Sequence, residues 1–241
     1  VKLAIVTGAG QRIGRGLGEA LLEQGYHLLL HSWHSFAELE EWTSAHKFRS
    51  RVIANVKADL SKPEGQELFC QSVLSHGLAS GLDLLVHNAS AYYPAAFETI
   101  NQDSLQEMMQ LNLCAPFFVT QRLLPLLRKS ASPSVINILD AMWQRPSRLY
   151  SHYFTSRGGL AVLTLALAKE LAPQIRVNAV APGIILFQDS HTESYQAHTL
   201  SKVPLGRTGA VQDVANAVIF LAENAGFVTG EILAVDGGRS L

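Results

Sequence analysis

Seven short runs of β-branched or leucine-rich residues alternate with longer segments of helical periodicity along almost the whole chain. The runs are LAIVT at 3 to 7, HLLLH at 27 to 31, VIANVKAD at 52 to 59, LDLLVH at 82 to 87, SVINIL at 134 to 139, RVNAVA at 176 to 181 and EILAVD at 231 to 236. Helices are predicted between them at roughly 12 to 25, 35 to 46, 62 to 77, 101 to 129, 151 to 172 and 211 to 223. Strands this apolar need cover on both faces, and the intervening helices supply it. The expectation is an α/β chain with a doubly wound, seven-stranded parallel sheet and helices on both faces. With 241 residues and 48% hydrophobic content the chain is sized for one domain, 1–241, around such a sheet.

Composition narrows the partners. A formal net charge of −1 leaves no basic footprint for nucleic acid and no polybasic segment for a membrane surface. No apolar run reaches 18 residues without a charge or a breaker, and VKLAIVTG at the start reads as a strand rather than a signal peptide. The expectation is a soluble, cytoplasmic protein whose partners are small molecules or other chains. Cys70 and Cys114 lie in helical segments, outside any CxxC pair or metal-like cluster, and read as inert thiols; no metal is expected. The segments MMQLNLCAPFFVTQRLLPLL and GGLAVLTLALAKELA are apolar on more than one face, which predicts a partner helix beyond the sheet. Cover by a lid of the same chain is the alternative.

In an open parallel sheet, ligands bind beyond the carboxyl ends of the strands. The segments there are 8 to 14, 31 to 35, 59 to 60, 88 to 94, 139 to 153 and 182 to 204. The longest stretch without clear periodicity, FQDSHTESYQAHTLSKVP at 187 to 204, reads as a lid or binding loop, within a substrate loop of about 184–208.

TGAGQRIG follows the first strand and opens the first helix, the setting in which glycines let a backbone approach a pyrophosphate. Gly8 and Gly14 fit the pattern G-x-x-x-G-x-G, with Arg12 at its middle glycine and Ile13 beside it. A cation in the first turn of a helix opposes the macrodipole and is better placed beside an anion. At the end of the second strand, where NAD-binding proteins usually carry a carboxylate, this chain reads HSWHSF. His31, Trp33, His34 and Ser35 offer donors and an aromatic face, and the first acid is Glu38. This favours NADP(H) over NAD. Asp59 and Leu60, after the third strand, are placed to meet an adenine, or to open the next helix.

TGAGQRIG, HNAS at 87 to 90, Asn112 in LNLCAPF, Tyr153 with Arg157, and Pro182-Gly183 occur in the order found in the short-chain dehydrogenase/reductase family, and the chain resembles that family over its whole length. The resemblance implies a single-domain Rossmann-type fold, a dimer or more commonly a homotetramer, and hydride transfer from a nicotinamide to a C=O or C=N group. It implies cofactor contacts at Asn88, Ala89, Ser90, Pro182, Gly183 and Ile185, and a catalytic set of Asn112, Asp140, Tyr153 and Arg157. Two members of that set depart from the family pattern of Asn, Ser and Tyr-x-x-x-Lys: Asp140 stands for the serine and Arg157 for the lysine. An arginine in the glycine loop, an aspartate for the serine, and NASAYYP at 88 to 94 are similar to the pteridine reductase branch; PGIILF and DSHTESY are similar to dihydromonapterin reductases. Carried over from that branch, Arg12, Ser90, Tyr92, Asp140 and Tyr153 would contact a pterin, with Tyr92 stacked on it.

Three functions follow as expectations. The first is NADPH-dependent reduction of a dihydropterin of the dihydromonapterin or dihydrobiopterin type, with dihydrofolate a further candidate. The second is reduction of a carbonyl or 3-oxoacyl substrate, and the third, motivated by Arg157, is a non-catalytic NADPH-binding sensor. A phenol must be tuned to donate a proton; a nearby cation lowers its pKa and an ionised Asp140 raises it, so Asp140 is either protonated or directed to the substrate. In isolation, Tyr153 and Arg157 one helical turn apart are a common packing pair, Asn112 a buried polar residue and His87 a core histidine. Trp143, His152 and Tyr195 are placed near the same rim as further contacts.

Overall fold

A computed structural model describes residues 1–78, 81–187 and 192–241. The seven expected strands form one sheet: β1 Leu3–Val6, β2 His27–Ser32, β3 Val52–Lys57, β4 Leu84–His87, β5 Ser134–Ile138, β6 Arg176–Pro182 and β7 Ile232–Val235. Their order is β3-β2-β1-β4-β5-β6-β7, and every neighbouring pair is parallel. The helices are α1 Arg12–Glu23, α2 Phe36–Ala45, α3 Pro63–Ser75, α4 Gln102–Met109, α5 Ala115–Leu127, α6 Ser151–Glu170, α7 Glu193–Leu200 and α8 Val211–Ile219.

Alternation along each strand sends side chains to two separate cores. Ala4, Val6, Leu28, Leu30, Val86 and Ile136 pack under α1, α2 and α8, against Leu17, Leu21, Leu39, Val214 and Val218. Leu3, Ile5, Leu29, Leu85, Val135 and Val177 pack on the other face, against Phe69 and Val73 of α3, Val119, Leu123 and Leu127 of α5, and Ala168 of α6. Both faces are therefore buried, which is why the strand runs are apolar without alternation.

The expected continuous helix over 101 to 129 is divided. α4 ends at Met109, a π-helical turn spans Gln110–Cys114, and α5 begins at Ala115. Pro116 has no N–H to give the carbonyl four residues back, at Asn112, so the α-helical ladder cannot run through unbroken. The loop expected at 187 to 204 contains α7, whose cap is Thr192 accepting the Tyr195 amide at 3.2 Å. The part of that loop at 188–191 lies outside the described residues. Among the described residues no helix is long and apolar enough to cross a membrane.

The strand order reverses between β1 and β4. β1 pairs with β2 on one side and β4 on the other, so the connections leaving β1 and β4 diverge to opposite faces and open a crevice at their carboxyl ends.

Candidate active site

The crevice is held in shape by hydrogen bonds between its two banks. Thr7 Oγ1 accepts the amides of Asn88 at 3.0 Å and Ala89 at 3.1 Å, while Asn88 Nδ2 donates to the carbonyls of Thr7 and Gly8, both at 3.0 Å. These bonds draw the glycine loop against β4. Gly8 lies at φ 66°, and a Cβ there would come within 2.8 Å of Ala89 Cα; a Cβ at Gly14 would sit 2.0 Å from the Gly8 carbonyl oxygen. Glycine is required at both positions by close approach.

Arg12 occupies the left-handed region at φ 52°, where the pattern G-x-x-x-G-x-G has its middle glycine. A non-glycine residue there carries strain of about 1 kcal/mol or more. No side chain caps α1, so its first amides border the cleft without a partner from Gln11, and the helix dipole adds positive potential. The Arg12 guanidinium reaches across to the Leu186 carbonyl at 3.0 Å. An uncapped helix start, a glycine cradle and an arginine fit the pyrophosphate of a dinucleotide.

The cleft has a volume of about 1100 Å³. It is lined by every cofactor position named from the sequence: Gly8, Arg12, Ile13, Gly14, Trp33, His34, Ser35, Asp59, Leu60, Asn88, Ala89, Ser90, Pro182, Gly183 and Ile185. At one end Trp33 is half-exposed, with Lys57 Nζ 5.5 Å from its ring centroid. Asp59 Oδ1 accepts from the Ser61 amide at 3.0 Å and the Ser61 hydroxyl at 2.6 Å, so part of its capacity is spent on a local turn. Lys62 also lines this end, a cation that sequence reasoning passed over although it stands three residues after Asp59.

The other end is lined by Asp140, Tyr153 and Arg157, three of the residues expected to be catalytic. Tyr153, 4% exposed on the first turn of α6, donates its hydroxyl to Asp140 Oδ2 at 3.0 Å. Asp140 Oδ1 accepts the Met142 amide at 2.8 Å, which fixes the carboxylate beyond β5. Arg157, one turn along α6, is buried; it donates to the Ile138 carbonyl at 3.1 Å and to the Ser90 hydroxyl, and its guanidinium lies 5.1 Å from the Tyr153 ring centroid. Burial raises the Tyr153 phenol to about 12; Arg157 opposes this and Asp140 adds to it. At neutral pH the tyrosine is therefore a fully protonated donor.

Tyr92 completes the wall. Its ring stacks on Tyr150 at 4.7 Å and 11° and meets Tyr153 edge-on at 4.8 Å. Tyr150 was not among the residues singled out from the sequence. It is delivered by Leu149, which adopts φ 68°, a conformation leucine rarely takes and the sequence does not announce.

Three expected contacts, Asn112, His152 and Trp143, fall elsewhere. Asn112 does not line the cleft: its Oδ1 accepts the Ala91 amide at 2.9 Å, and its Nδ2 contacts the Ala91 carbonyl, Ser156 Oγ and Met108 Sδ at 3.0 to 3.1 Å. Sitting inside the π turn, it ties the segment after β4 to α6 and supports the site from behind. His87 is a core residue hydrogen-bonded to Thr120 Oγ1 at 2.8 Å. His152 is buried on α6 against Tyr93, and Trp143 packs on the cluster around Leu139 and Leu160; neither lines the cleft. Tyr195 does line it.

Residues 8–240 match the family model described as enoyl-(acyl carrier protein) reductase. Relatives include a dihydromonapterin reductase of Citrobacter koseri, 30% identical with 98% of this chain and 96% of that one covered. They also include a 3-oxoacyl-[acyl-carrier-protein] reductase of Aquifex aeolicus, 31% identical over 98% and 96%. Among solved structures, the active-site NADP complex of Pseudomonas aeruginosa RhlG superposes with a TM-score of 0.88 at 30% identity, covering all of this chain and 96% of that one. The fold and the relatives define an oxidoreductase, of a class whose members generally bind NAD(P)H. The chain belongs to the short-chain dehydrogenase/reductase family.

Proposed function

We propose that this protein is an NADPH-dependent reductase of dihydropterins. The observation that carries the reading is the Asp140–Tyr153 hydrogen bond beside the stacked Tyr92 and Tyr150 rings. A carboxylate accepts hydrogen bonds and suits a substrate edge rich in N–H groups, as an aminopyrimidine ring presents. A carbonyl substrate needs donors, which a hydroxyl at position 140 would supply and a carboxylate does not. A flat, polar-edged ring also matches an aromatic wall with polar groups at its rim.

Bound dihydronicotinamide supplies the hydride. Tyr153 supplies the proton to the ring nitrogen, and Arg157, fixed near the tyrosine ring, stabilises the phenolate left behind. Asp140 holds the hydroxyl in place and presents its carboxylate to the substrate edge. Ser90, held by Arg157, and Arg12 line the approach. NADPH is preferred to NADH because Trp33, His34, Ser35 and Lys62 surround the adenosine end, and the second strand offers no carboxylate there to repel a 2′-phosphate.

The proposal includes a homotetramer. Phe117 and Phe118 of α5 and Val162 and Leu165 of α6 are each more than 40% exposed on the protomer, the excess apolar surface expected from the sequence. A structure of the protein with NADP⁺ and a dihydropterin analogue tests the reading. The expected result is a pterin ring against Tyr92 with its amino edge on Asp140; a ring that contacts neither would overturn it.

A further inference from the structure

Among the buried polar groups unused by the proposed chemistry, His31 joins two banks of the cleft. It ends the apolar run of β2 and is 2% exposed. Its Nδ1 lies 3.2 Å from the Gly8 amide in the glycine loop, and its Nε2 lies 2.8 Å from the Ala58 carbonyl, next to Asp59 and Leu60. Its own carbonyl accepts the Ala9 amide at 2.7 Å. Phe69 of α3 meets the ring edge-on at 5.2 Å.

The partners fix the tautomer. An amide only donates, so Nδ1 is the acceptor; a carbonyl only accepts, so Nε2 carries the hydrogen. An imidazolium would place a second N–H against the Gly8 N–H and break the bridge. Asp59 is the charged group facing the ring and favours protonation, but burial outweighs it and lowers the pKa to about 4. The imidazole is therefore a neutral, two-ended strut at working pH.

We propose that His31 is a positioning residue for the dinucleotide, its neutral ring setting the separation between the glycine loop at Gly8 and the adenosine bank at Ala58–Leu60. The proposal rests on the reading that the cleft binds a nicotinamide dinucleotide. The β2–β3 ladder runs to Lys57, and the His31 carbonyl holds the Ala9 amide, but Gly8 and Ala58 lie one residue beyond these backbone ties. The His31 ring makes the last link between them.

Fluorescence titration of NADPH into the wild type, His31→Ala, His31→Asn and His31→Gln tests this without any turnover. Asn keeps an acceptor near the Nδ1 position toward Gly8, and Gln keeps a donor near the Nε2 position toward Ala58. The expected result is a Kd raised by about tenfold or more in His31→Ala, with intermediate values in the other two. A structural role alone would lower the melting temperature of all three and leave the Kd of the folded variants unchanged. His31→Ala binding NADPH within twofold of wild type would overturn the proposal. Should that variant fail to fold, wild-type affinity in both His31→Asn and His31→Gln would do the same. Wild type binding neither NADPH nor NADH would overturn the dinucleotide reading and the inference with it.

Discussion

Tyr153 and Asp140 are joined by a hydrogen bond of 3.0 Å in which the phenol donates and the carboxylate accepts. The bond orients the hydroxyl at the end of the cleft and, with burial, keeps its proton on. Replacing Tyr153 by Phe removes the proposed donor and leaves the dinucleotide end intact. We expect turnover to fall by about 10²- to 10⁴-fold with NADPH still bound, measured by steady-state rates alongside a binding titration.

The pH profile should expose Asp140. With the Tyr153 phenol raised to about 12, the donor stays protonated through neutral and moderately alkaline pH, and its ionisation limits the rate only above that range. Asp140 is one cause of the elevation, so Asp140→Asn should lower the tyrosine pKa and move the alkaline fall in rate to lower pH. Burial, the larger cause, remains, so the shift is partial. An alkaline limb that stays in place would remove Asp140 from this role.

Arg157 is a clamp as well as a charge. It spans the Ile138 carbonyl and the Ser90 hydroxyl, which a lysine ammonium cannot reach in the same planar fork. Arg157→Lys should therefore lose about 1 to 3 kcal/mol of stability through an unpaired buried acceptor, seen as a melting temperature lower by several degrees. An unchanged melting temperature would show that the family's usual lysine is tolerated here without cost.

Two buried neutral histidines set an acid limit. Burial lowers His31 to about 4 and His87 to about 3, below the value of about 6.5 in an unfolded chain. Between those values the unfolded state binds more protons, so stability rises with pH there and is lost as pH falls. Their contribution is full above about pH 6.5 and declines toward pH 4 and 3, by on the order of 3 to 5 kcal/mol each. Denaturant midpoints measured from pH 7 to 4 should fall, and less steeply in His31→Gln.

The sheet was legible because its strands are buried on both faces, and that requirement writes apolar runs directly into the sequence. The π turn was not. In MMQLNLCAPFF apolar residues occur on all sides, so an extra residue leaves no break in the pattern, and only Pro116 marks the place. α7 was missed because it has no apolar stripe; Thr199 is its only buried residue. Asp140 and Tyr153 were readable as a pair only through resemblance, since thirteen residues and an irregular loop separate them. The Tyr92–Tyr150 stack depends on the left-handed turn at Leu149, which no local preference predicts. His31 carried a signal without its role: a histidine that follows three leucines in a buried strand calls for hydrogen-bond partners inside the fold.

The most direct test of the account is NADPH oxidation by the purified protein with a dihydropterin and, separately, with a 3-oxoacyl thioester. The expected result is a higher kcat/KM for the dihydropterin, with NADPH preferred to NADH. Faster turnover of the oxoacyl substrate, or tight NADPH binding with no turnover of either, would contradict it.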